Sequence, residues 1–186
     1  MSMSREEASA ALATVEQVDH RVGVLSGYRD SAGHFFLWGV IWIVGYGLTG
    51  VRPEYVDATW LLLDGAGFVG SYLIGRAVAR RRGQSSVHYR ARYAGGIATF
   101  LGLYFAILYV FPPREMDQVA ALPALLIAAA YLVTGLFRGT RWVVAGMVLG
   151  TMTVAGFALL PANFMLWMAA VGGGTLLTTG FWLRRG

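Results

Sequence analysis

AGGIATFLGLYFAILYVF, residues 94–111, decides the fold. The stretch contains no charged residue, and Pro112-Pro113-Arg114-Glu115 ends it. A helix needs about 20 apolar residues to cross a hydrocarbon layer of about 30 Å, with about 17–25 used in practice. Transmembrane strands would be alternating segments of about 10 residues. This run is longer and does not alternate, so a transmembrane helix is predicted.

The same pattern recurs on both sides of it. Phe35–Val51, Gln118–Phe137, Trp142–Leu160 and Ala162–Leu183 are also free of charge, and Ala58–Ala79 contains only Asp64 and Arg76. Arg52-Pro53-Glu54 stops the first run. Pro161 opens the sixth, where its missing N–H costs little. Pro123, near the start of the fourth, is compatible with a first turn or with a kink. The fold class is therefore all-α, a six-transmembrane-helix bundle. Over the 186 residues, 13% are charged and 56% hydrophobic, against about 25% charged in soluble domains. Disorder is excluded. The absence of cysteine excludes a disulfide scaffold, a Cys-ligated zinc site and a thiol nucleophile. About thirty charged and polar-patterned residues precede the first span, so a cleaved signal peptide is not expected there, nor is a soluble domain beyond that arm and the loops.

All fifteen basic residues are arginine. Thirteen fall on one side if the N-terminus is cytoplasmic, leaving Arg52 and Arg114 opposite. The positive-inside rule then puts both termini in the cytoplasm, as six spans require. The net charge of +5 is a topology signal, and no nucleic-acid partner is expected. Exclusive use of arginine suggests a GC-rich genome and a bacterial inner (plasma) membrane.

Residues 1–31 read as a cytoplasmic amphipathic helical arm and 32–186 as the transmembrane domain. Ser4 and Glu7 have capping-box spacing, which predicts a helix from Arg5. Ala8, Ala11, Val15, Val18, Val22 and Leu25 make an apolar stripe, and Gly23 and Gly27 weaken its end. The arm is net acidic, unlike a helix that binds anionic lipid. Residues 4–28 are therefore a candidate contact for a cytosolic protein, or for the arginine-rich loop Arg76–Arg92.

Small residues repeat every four positions within the spans: Gly67, Ser71, Gly75 and Ala79; Ala98, Gly102 and Ala106; Ala120, Ala124 and Ala128; Gly146 and Gly150. Such ridges let membrane helices approach closely, within one chain or across a homo-oligomer. Gly172-Gly173-Gly174 is read as a packing or flexible spot in the sixth span.

Asp64 is the leading site residue. It lies about 10 Å from the outer end of its span at about 1.5 Å per residue. An acid at such depth is expensive unless paired, hydrated or protonated, and usually faces the bundle interior or a wet cavity. Tyr46, Thr49, Tyr104, Thr153 and Asn163 are candidate partners at similar depth. His34, Trp38, Trp42 and Tyr46 form a stripe that can pack or line a cavity for an amphipathic ligand. Arg80, Arg81, Arg82, Arg138 and Arg141 are candidate anionic-lipid contacts. Trp60, Trp142 and Trp182 read as interface anchors. Catalytic motifs, a metal-binding cluster and paired haem ligands are absent, so neither an enzyme nor a cofactor is expected. Two functions remain: handling of a small solute, ion or lipid within the membrane, or a membrane anchor or sensor acting through the arm.

Overall fold

The computed structural model describes residues 5–83 and 86–185, with side chains described from 26 onward except at 86 and 88. Among them there is no strand. The helices are α1 (Arg5–Val51), α2 (Val56–Arg81), α3 (Ser86–Val110), α4 (Met116–Arg138), α5 (Thr140–Leu159), α6 (Phe164–Trp167) and α7 (Gly174–Arg184). Short 3-10 turns at Pro53–Tyr55 and Pro161–Asn163 join α1 to α2 and α5 to α6, and a π-helical stretch, Met168–Gly173, links α6 to α7. Six helical segments among the described residues are long and apolar enough to cross a membrane: Ser26–Val51, Pro53–Arg81, Tyr89–Val110, Met116–Arg138, Thr140–Leu159 and Pro161–Arg184.

Residues from Arg5 onward are helical, while Ser4 of the capping pattern and the side chains of the apolar stripe lie outside the described residues. Gly23 and Gly27 do not break it. A glycine costs a helix interior only about 1 kcal/mol, and α1 continues for 47 residues into the first span. The 21 residues before Ser26 amount to about 30 Å of helix at about 1.5 Å per residue.

The core lies between α1, α4, α5 and the last span. Phe35, Trp42 and Tyr46 of α1, Ala124 and Ala128 of α4, Leu149 of α5, and Phe164, Met168, Leu176 and Leu183 of the last span are all buried. Trp142 belongs here as well: its ring packs on Phe35 and Tyr131. It is a core residue and not an interface anchor, because α5 turns it inward directly after the α4–α5 joint. Trp60 likewise faces inward, against Tyr46.

Small residues set the helix spacing. The α2 ridge Gly67, Ser71, Gly75 and Ala79 comprises that helix's buried residues. A Cβ at Gly67 would meet Trp38 and Ile41 of α1. Across α4 and α5, a Cβ at Gly146 would sit 2.7 Å from the Ala128 carbonyl oxygen. The two helices are joined by Gly139 alone, at φ +110°, a backbone region that side chains disfavour. The last span meets α1 just as closely. A Cβ at Gly173 would lie 3.0 Å from the Gly39 carbonyl oxygen and 3.0 Å from the Ile43 nitrogen. The first two glycines of that run end the π-helical stretch Met168–Gly173, the kind of local bulge often found at functional positions.

The α3 ridge is different. Ala98, Gly102 and Ala106 are exposed, and nothing approaches a Cβ built on Gly102. None of the most apolar window of α3 is buried, against 44% for the last span. The rings of Tyr89 and Tyr93 pack tilted against Tyr72 of α2, and the Tyr93 hydroxyl donates to the Phe68 carbonyl at 2.5 Å. These contacts tie down the arginine-rich end of α3 and leave most of its length open.

Candidate functional site

Asp64 lies eight residues into α2 and is partly buried. Tyr46 of α1 and Tyr104 of α3 both lie within its electrostatic reach. Three helices thus bring together the acid and two of the five partners expected at its depth. Among the described residues no cation pairs with the Asp64 carboxylate.

The surrounding polar groups have defined partners. The Tyr46 hydroxyl donates to the Ala120 carbonyl of α4 at 2.7 Å. Pro123 lies inside α4, lacks an N–H and disturbs the preceding turn. Tyr46 has its own proton committed and can only accept from a further group. Thr49 donates to the Gly45 carbonyl at 2.8 Å and accepts from Trp60 Nε1 at 3.1 Å. Thr153 is buried and donates to Leu149 of its own helix. Asn163 is exposed in the turn before α6, and no hydrogen bond links it to Asp64. Tyr104 is thus the tyrosine within electrostatic reach of Asp64 whose hydroxyl makes no hydrogen bond among the described residues.

The α1 aromatic stripe divides. Trp42 is buried and packs edge-on against Tyr46. Trp38 turns toward α2, where its Nε1 donates to Ser71 Oγ at 2.9 Å and its ring meets Phe68. Trp38 and His34 line a cleft of about 340 Å³ with Phe68 and Ser71 of α2 and Arg92, Tyr93, Ile97 and Phe100 of α3. Arg92, Phe68 and Phe100 were not singled out in the sequence, since only their juxtaposition across three helices makes them a site.

The arginine girdle divides too. Arg82 forms an ion pair with Asp30 and donates to Ser26 Oγ at 3.4 Å. Arg141 donates to the Trp182 carbonyl at 2.9 Å, and its guanidinium lies 5.1 Å from the Tyr28 ring centroid and 5.4 Å from that of Trp182. Both clamp helix ends together. Arg80, Arg81 and Arg138 are exposed and have no ion-pair partner among the described residues.

No protein family, curated protein or solved structure matches the chain.

Proposed function

We propose that this multi-pass membrane protein handles a small solute or ion within the membrane, with Asp64 as the polar centre and cations as the preferred cargo. The observation that carries the proposal is a partly buried carboxylate within a span, with no cationic partner among the described residues and within electrostatic reach of tyrosines on two other helices. A carboxylate supplies charge to a cation. Tyr104 adds a hydroxyl and Trp60, one turn away on α2, an aromatic face. In the same proposal the arginine-rich end faces the cytoplasm of a bacterial cell, and both termini lie there.

The test is flux into proteoliposomes containing the full chain and a trapped pH-sensitive dye. Sodium, potassium and tetramethylammonium gradients are applied in turn. Wild type should pass protons or one of these cations faster than empty liposomes, Asp64→Asn should not, and Asp64→Glu should keep part of the rate. A folded Asp64→Asn protein with wild-type flux contradicts the proposal, as does a wild type no more permeable than empty vesicles.

The unbroken α1 supports a second reading, a membrane anchor or sensor. Any force on residues 5–28 is carried along one helix into the span bearing Trp38, Trp42 and Tyr46. Deleting residues 1–28 should then abolish binding of a cytosolic partner while the bundle still inserts, and unchanged binding contradicts it.

A further inference from the structure

We infer that the cleft between α1, α2 and α3 is a binding site for an anionic phospholipid from the leaflet at the arginine-rich end. The site is separate from Asp64 and stands or falls independently of it.

Three observations support this. First, the cleft is amphipathic along its length. Arg92 and His34 supply the polar groups, whereas Trp38, Phe68, Ile97 and Phe100 supply apolar walls. Arg92 and Phe100 are eight residues apart on α3, about 12 Å along the helix axis. Arg92 is three residues from the start of the span at Tyr89, at the depth of a headgroup, and Phe100 lies at the depth of an acyl chain. A ligand matching both must carry negative charge at one end and hydrocarbon at the other.

Second, the charge has no counterpart among the described residues. Among the described residues neither Arg92 nor His34 has an ion-pair partner. On the α2 side of the same helix pair, the Nε of Arg76 is buried without a hydrogen-bond partner. The other arginines at this end that bind inward, Arg82 and Arg141, show what a paired guanidinium looks like here.

Third, the α3 wall of the cleft is largely uncovered by other helices. Its α3 wall belongs to the helix with no buried residue in its apolar window. Gly96 lines the cleft, and a Cβ built there meets nothing within 4 Å. The volume is at the lower end of the ~300–1,000 Å³ usual for ligand pockets, enough for part of one chain and not for a whole lipid. The headgroup contact is the shared chemistry of a phospholipid and a soluble phosphate ester. The apolar walls favour the lipid.

Trp38 in the cleft wall provides the measurement. The full chain is reconstituted in phosphatidylcholine containing increasing fractions of acyl-brominated phosphatidylglycerol. Quenching of Trp38 is taken as the difference between wild type and Trp38→Phe. The expected result is saturable quenching at low mole fraction, absent with brominated phosphatidylcholine. One arginine near an anionic surface is worth about 1 kcal/mol, so Arg92→Gln should raise the half-quenching fraction about fivefold. Gly96→Leu, which fills the open space, should remove the saturable component while helicity is unchanged. Equal quenching by the two lipids, an unaltered Arg92→Gln curve, or persistence in Gly96→Leu would each overturn the inference. Protection by millimolar glycerol 1-phosphate as strong as that by unbrominated lipid would overturn the lipid as the ligand in favour of a free phosphate ester.

Discussion

The closest test of how the bundle is held together is alanine at two glycines that differ only in their surroundings. Gly146 of α5 faces α4, and an added Cβ would stand 2.7 Å from the Ala128 carbonyl oxygen and 3.0 Å from the Leu132 nitrogen. Both are backbone atoms, so no side chain can rotate away. An ordinary carbon–oxygen approach is about 3.3–3.6 Å, and the helices must therefore part by about 0.6–0.9 Å. Over-packing of this kind costs about 1–3 kcal/mol. Gly102 of α3 has nothing within 4 Å of its added Cβ. Both substitutions gain the same intrinsic helix preference, about 0.8–1.0 kcal/mol, so it cancels in the comparison. Gly146→Ala should be less stable than Gly102→Ala by about 1–3 kcal/mol. Unfolding in mixed micelles with increasing dodecyl sulfate, followed by circular dichroism, measures the difference. Equal stability, or a more stable Gly146→Ala, would refute close α4–α5 backbone contact.

Three further expectations use the same assay. Tyr46→Phe removes the hydroxyl that serves the Ala120 carbonyl and should cost about 0.6–1.7 kcal/mol. Gly139→Ala forces a side chain into φ +110° at the one-residue joint and should cost about 1–3 kcal/mol. A double-mutant cycle on Arg82→Ala and Asp30→Ala should give a coupling of about 0.2–1 kcal/mol that shrinks with added salt, because both side chains are partly exposed.

The spans were legible because charge is excluded from long stretches and returns at their ends, a signal that needs no tertiary information. The α2 ridge was legible for a similar reason: Gly67, Ser71, Gly75 and Ala79 are small, lie on one face and are the residues that become buried. The same spacing on α3 gave no such packing, since a ridge specifies a permitted contact and not a partner. Depth along the helices brought Tyr46 and Tyr104 to Asp64, whereas Asn163 failed because the 3-10 turn at Pro161–Asn163 holds it at the exposed end. The cleft was not legible at all. Arg92 and Phe68 are unremarkable within their own helices and acquire meaning only beside His34 and Trp38. Nor could Arg82 and Arg141 be separated from the rest of the arginine girdle by sequence. Their partners Asp30 and Trp182 lie 52 and 41 positions away.

The most direct measurement concerns whether Asp64 meets water and solute or faces hydrocarbon. The chain has no cysteine, so Asp64→Cys carries a single thiol. If Asp64 is a water- and solute-accessible centre in the half of the membrane away from the arginine-rich end, a membrane-impermeant cationic methanethiosulfonate should label the thiol from the arginine-poor side. A thiol labelled only by membrane-permeant reagents, or from the arginine-rich side alone, would contradict it.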